Sequence, residues 1–186
     1  MTSQQDEGLL KRRIIRVGQI DEASSGLVIA KLLFLSQQSR TQDIVLRINS
    51  PGGSVTAGLA IYDTMQELPN SIGTLCFVQA SGMAAVLLAS GAKGKRLATP
   101  NSTILLTRPW GGSLSDPHES QAQEAEISRL SVRLAEILAK HTHKTSEQTW
   151  LDSDQELRIT ADESVAYGLV DRVLSKLEMI RLKWQG

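Results

Sequence analysis

The sequence predicts an α/β domain, a parallel sheet with helices packed outside it. Short apolar, β-rich runs alternate with stretches of helical periodicity along most of the chain. Gly, Pro and Asn turn signals separate them. The 186 residues, 41% apolar and 22% charged, suit one folded domain with a single core, spanning 1–186.

Taken in order, Ile14–Val17 is a short strand. Glu22–Ser36 is helical, with Leu27, Ala30, Leu33 and Phe34 on one face. Ile44–Ile48 is a buried strand that stops abruptly at Asn49-Ser50-Pro51-Gly52-Gly53. Thr56–Leu68 is helical and is ended by Pro69. Thr74–Gln79 is the next strand, and the small residues of Ala80–Ala89 make a close-packed helix stopped by Gly91 and Gly94. Arg96–Ala98 and Thr103–Leu106 are short strands. Asp116-Pro117-His118-Glu119 starts a long helix, with an N-cap carboxylate, Pro at N1 and Glu at N3. Ile127, Leu130, Leu134, Ile137 and Leu138 keep its spacing to about Lys140. The stripe is narrow. Pattern alone favours a surface helix on the core over a projecting helix that packs on a partner. Ala161–Tyr167, closed by Gly168, is the last helix, and Leu169–Val173 the last strand.

Composition excludes several classes. Twenty basic residues balance twenty acidic ones, which gives no support for nucleic acid or an anionic membrane as partner. No apolar run approaches a membrane span. Residues 1–8 are a short polar, acidic segment without the pattern of a secretion signal. The lone Cys76 lies in an apolar run and reads as a small buried hydrophobe. A reducing, aqueous compartment is expected. His141 and His143 follow the long helix, where imidazole complements the negative helix end. Two ligands with no third nearby do not make a metal site, so no metal or other cofactor is expected.

Several blocks are far more specific. Ile48-Asn49-Ser50-Pro51-Gly52-Gly53-Ser54-Val55 is followed by Ala57–Met65, then by Gly91-Ala92-Lys93-Gly94-Lys95-Arg96 and Pro100-Asn101-Ser102. Pro109-Trp110-Gly111-Gly112 and Tyr167-Gly168-Leu169-Val170-Asp171 come next. In this order they closely resemble the proteolytic subunit family of the Clp protease. The resemblance runs from about Leu9 to Val173 and needs no gaps from Ile48 onward. It implies a crotonase-like fold, a spiral of βαβ units with a projecting helical handle. The head would be 9–112 and 146–175, the handle 113–145, and 176–186 a C-terminal tail. It also implies seven-membered rings stacked into a barrel and fed by an AAA+ ATPase. The long helix falls on the handle, which moves its reading to partner packing.

The resemblance also places the site. The family's nucleophilic serine aligns with Gly82, in Gln79-Ala80-Ser81-Gly82-Met83-Ala84-Ala85, and its histidine with Thr107. Its aspartate aligns with Glu156, which keeps the charge on a side chain one methylene longer. Glycine carries no nucleophile, and threonine is no base near neutral pH. The backbone N–H groups of Gly53 and Met83 match the family's oxyanion hole, and Trp110, Gly111, Gly112 and Ser113 match its peptide-binding strand. Gln155 replaces an arginine that contacts the opposite ring, and few residues precede Leu9 where the family has a pore loop. Altered ring–ring contact and ATPase docking are therefore expected. Glu156 and Arg108 either pair with each other or are solvated.

The reading is a non-catalytic subunit, similar to the inactive members of mixed rings in cyanobacteria and plastids. Its partners would be further copies of itself or an active paralogue, and the ATPase through the complex. Its compartment would be the cytoplasm or a plastid stroma. One alternative is an active serine endopeptidase with an altered site, using Ser81. A more distant one is an acyl-CoA enzyme of the crotonase superfamily, with Glu156 as acid or base.

Overall fold

The computed structural model describes residues 4–109 and 117–175, together with Glu178. The expected N-cap Asp116, the expected peptide-binding residues Trp110–Ser113 and nearly all of the segment 176–186 lie outside the described residues. In chain order the elements are α1 (Gln4–Lys11), β1 (Ile14–Val17), α2 (Glu22–Gln38), β2 (Ile44–Ser50), α3 (Val55–Glu67) and β3 (Ile72–Ser81). They continue with α4 (Met83–Ala89), β4 (Arg96–Ala98), β5 (Thr103–Leu105), α5 (Pro117–His141), α6 (Ser146–Asp154), β6 (Arg158–Thr160), α7 (Ala161–Tyr167) and β7 (Arg172–Val173). Among these residues no helix is long and apolar enough to cross a membrane.

The sheet is mostly parallel, in the order β1-β2-β3-β4-β7. β5 joins the far end of β3 in parallel and pairs with β6 antiparallel. This mixed α/β architecture is the one expected of the crotonase-like fold. The sheet divides along β3: Thr74–Cys76 pair with β4, whereas Gln79–Ser81 pair with β5. The middle of β2 is buried, with Ile44, Leu46 and Ile48 in the core, as parallel sheets covered by helices require.

Local chemistry explains most boundaries. Asp21 caps α2 in a capping box with Ser24, and Thr160 caps α7 in one with Glu163. Gly168, at φ +89°, closes α7 in the left-handed conformation. The polar segment expected at 1–8 is partly helical. Most of residues 4–11 other than Gly8 are compatible with a helix, with Asp6 and Glu7 in the first turn and Lys11 in the last. Strand β3 runs on to Ser81, so α4 starts at Met83 rather than Ala80. Polar α6 and the three-residue β6 have too little apolar periodicity to be seen in advance. Leu169 and Val170 are buried but not in a strand. Both donate to the Ser164 carbonyl, and only Arg172–Val173 pair with β4.

The face named for α2 is not the one it buries. Val28, Leu32 and Leu35 enter the core, while Leu27 is 63% exposed and Leu33 and Phe34 also face outward. The helix is apolar on most sides, so more than one stripe fits its periodicity, and packing selects among them.

The main polar anchor is Arg96, only 4% exposed. Its guanidinium binds the Asp171 carboxylate at 2.6 Å. It also donates to the carbonyls of Ala89 (3.2 Å), His141 (2.7 Å) and Gly168 (2.8 Å). Those carbonyls end α4, α5 and α7. One cation thus satisfies three helix C-termini at their negative ends. Burial pushes the Asp171 carboxyl up, but its bonds to Arg96 outweigh this and hold it below its ordinary value. His141 departs from the expected role. It is half-buried beside the Tyr62 hydroxyl (3.2 Å), and burial, then the charges of Lys140, Arg96 and Lys93, depresses it to about 4. It is therefore neutral at pH 7, and Arg96 serves the helix end instead.

Arg96→Met, which removes the countercharge of Asp171 and the side-chain donor of three carbonyls, is expected to lower stability by about 3–5 kcal/mol in urea titration. His141 titrates below its unfolded value of 6.5. The unfolded chain then binds the extra proton between 6.5 and about 4, so stability falls as pH drops through that window. His141→Gln should flatten the profile there in pH-dependent thermal melts.

Candidate functional site

Two turns meet at the site. The first follows β2: Gly52 and Gly53 have φ of +93° and +139°. A Cβ on Gly52 would stand 2.6 Å from the Ser81 carbonyl oxygen, and one on Gly53 would overlap the Ile20 carbonyl. Only glycine fits both the conformation and the approach. Ile20 clamps the turn, donating to the Gly52 carbonyl (2.9 Å) and accepting from the Ser54 N–H (2.8 Å). Ser54 then caps α3 through the Ala57 N–H.

The second turn is the β3–α4 elbow. Pairing between β2 and β3 jumps from Ile48–Cys76 to Ser50–Ala80, which leaves extra residues on β3. Among them Val78 holds φ +84° and is 54% exposed. A β-branched residue in that region is strained. The bulge turns β3 onto β5, and Gly82 then donates to the Leu105 carbonyl at 2.9 Å. Gly82 sits at φ +54°, ψ −121° as the N-cap of α4. Most side chains are strained there, whereas glycine is not.

The structure brings together four of the five aligned site residues that it describes. A Cβ on Gly82 would lie 3.0 Å from the Thr107 hydroxyl oxygen, so the two positions are adjacent. Gly53, Gly82, Met83 and Thr107 line one cavity of about 580 Å³. The N–H groups of Gly53 and Met83 have no acceptor among the described residues. Met83 is the first residue of its helix, where the N–H has no intrahelical partner.

Glu156 does not join them. It is exposed, at φ +52°, just past the end of α6 and outside the lining of the cavity. Its backbone closes α6 instead: its N–H reaches Ser153, and the next N–H, from Leu157, reaches Asp152. Arg108 pairs with Asp154 at 2.6 Å, not with Glu156, and its guanidinium lies 5.6 Å from the Trp150 ring centroid. Both partners of that pair are well exposed, so it adds little stability.

No histidine lines the cavity among the described residues. His141 is on Tyr62 and His143 packs against Gly168. Cys76 is fully buried, and burial pushes its thiol up to about 11. Ser81 is half-buried at the end of β3, and its hydroxyl has no partner among the described residues. Sequence reasoning missed the contribution of α5. Glu126, Ile127, Leu130 and Leu134 close one side of the cavity. Their 1-4-8 offsets along α5 were a visible signal for a shared face, but not for what that face meets.

Chemically, the site is a cradle. It offers two unengaged backbone donors beside a glycine elbow, with neither nucleophile nor imidazole at the aligned positions. Residues 2–177 match the family model described as Clp protease.

The strain at Val78 can be measured. Val78→Gly is expected to stabilise the chain by about 1 kcal/mol, because relief of the backbone exceeds the entropy glycine adds to the unfolded state. The midpoint of denaturant unfolding reports it.

Proposed function

The chain belongs to the Clp protease family, and we propose that it is a non-catalytic subunit of a Clp-type, ATP-dependent peptidase barrel. It shapes the chamber and holds peptide without cutting it. The observation that carries this reading is Gly82. The elbow that would present a nucleophile is built, with φ +54° and its N–H on Leu105, yet the residue there has no side chain.

Magnitudes support inactivity. In a serine protease, loss of the nucleophile or its histidine alone costs roughly 10⁶ in kcat. Both aligned positions are replaced here, by Gly82 and Thr107. Backbone donors alone leave roughly 10³–10⁴ over the uncatalysed reaction, far short of useful peptide hydrolysis. The donors of Gly53 and Met83 depend on no side chain, so a carbonyl can still be held there.

The outward faces support assembly. Leu27, Leu33 and Phe34 on α2 and Val132 on α5 are large, apolar and exposed in the single chain. On the proposed reading these faces meet neighbouring subunits, either copies of this chain or an active paralogue. The AAA+ ATPase engages the assembled barrel, in the cytoplasm or a plastid stroma.

The competing reading, a working peptidase that uses Ser81, lacks support from its surroundings. That side chain leaves the strand one residue before the elbow, and no imidazole is placed beside the cavity among the described residues.

The purified chain should release no product from small fluorogenic peptides and take no serine-reactive fluorophosphonate label. With a catalytically competent paralogue, native mass spectrometry should find it in the same ring. A stoichiometric label on this chain, or cleavage abolished by Ser81→Ala, would overturn the proposal.

A further inference from the structure

A larger cavity, about 750 Å³, lies elsewhere and shares no lining residue with the one over Gly82. Its walls come from α1, β1, β2 and β3, and its polar lining is strongly cationic. Arg12, Arg16 and Arg47 face a single carboxylate, Asp6. The chain as a whole has a formal net charge of zero, so this imbalance is local.

Arg16 is exposed and Arg47 half-buried, yet the sheet sets the two against each other. Arg16 and Arg47 occupy paired positions of adjacent parallel strands. Like charges set directly across a strand pair repel, which a sheet built only for stability avoids. Asp6 answers one of them, bonding Arg16 at 3.1 Å. Arg12 is already engaged within the chain. Arg47 has no hydrogen bond or ion pair among the described residues; its guanidinium carbon lies over the Phe77 ring, 3.8 Å from the centroid. Partial burial, and secondarily the charge of Arg16, depresses its proton affinity, a second sign of uncompensated charge. Stacking uses the face of the guanidinium and leaves its N–H edge for a planar oxyanion. Asn49, beside it on β2, adds an amide donor.

We propose that this pocket binds a small ligand carrying two or more oxyanion groups, with Arg16 and Arg47 as its principal donors. Three guanidiniums face one carboxylate in this lining, so two further negative charges balance it. The cavity volume is within the range of small-molecule sites. The ligand's anions are phosphate or carboxylate, since an arginine fork accepts both.

Isothermal titration of the full chain at low ionic strength tests this, with inorganic pyrophosphate and citrate as separate probes. At least one should bind once per chain, and the probe that binds identifies the source as phosphate or carboxylate. Arg47→Gln and Arg16→Gln should each weaken binding about tenfold to a hundredfold. Arg47→Lys, which keeps the charge but loses the fork, should fall between. Arg133→Gln on α5 should bind like the parent chain. Circular dichroism checks each variant's fold, and Arg16→Gln decides should Arg47→Gln not fold. The proposal is overturned if neither probe binds, if affinity survives both glutamine substitutions, or if only a glutamate-rich peptide binds.

Discussion

One buried guanidinium holds the molecule together. Arg96 reaches the C-terminal carbonyls of three helices that are far apart in sequence, and Asp171 balances its charge. Each carbonyl is an acceptor that the helix itself cannot satisfy. Arginine suits the position because it presents several donors in a fixed plane and keeps its charge when buried. The consequence reaches the site. Fixing the end of α5 helps to position that helix, and residues of the same helix wall the cavity over Gly82.

The site itself shows which demands belong to the fold and which to chemistry. Gly52 and Gly53 are required by close backbone approach, whatever reaction follows. The bulge at Val78 is likewise architectural, because it turns β3 from its pairing with β4 to its pairing with β5. At 82 and 107 no close backbone approach of that kind dictates the residue. Under the proposed function they are free to change while the backbone cradle stays. Gly82 even removes a strain that a side chain at that elbow would impose. Val78 retains one, since the bulge depends on the backbone it occupies.

Much of the fold was legible. β1, β4 and α7 have the expected bounds, because each lies between strong signals: β-rich runs, turn glycines and a capping threonine. Errors gathered where a local pattern admits two answers. In α2, apolar residues on several sides left the buried stripe undetermined. At Ala80–Gly82, small residues suited both a strand end and a helix start. In α6, polar residues left no periodicity to read. At the site, Gly82 and Thr107 were placed together by the motif blocks, and the structure sets them side by side. Glu156 was placed by the same alignment, yet it stands exposed beyond α6 while Asp154 takes Arg108.

The sequence by itself determined the α/β class, the order of most elements, the two glycine turns and the lack of a side chain at position 82. These follow from residue identity and spacing: a glycine at an aligned serine position carries no hydroxyl in any fold. Only the tertiary structure decided which face of α2 is buried, which carboxylate Arg108 pairs with, that His141 is neutral, and that Arg16 and Arg47 stand side by side. All four depend on neighbours distant along the chain. Burial, charge and hydrogen bonding are set by those neighbours, and one-dimensional spacing does not specify them.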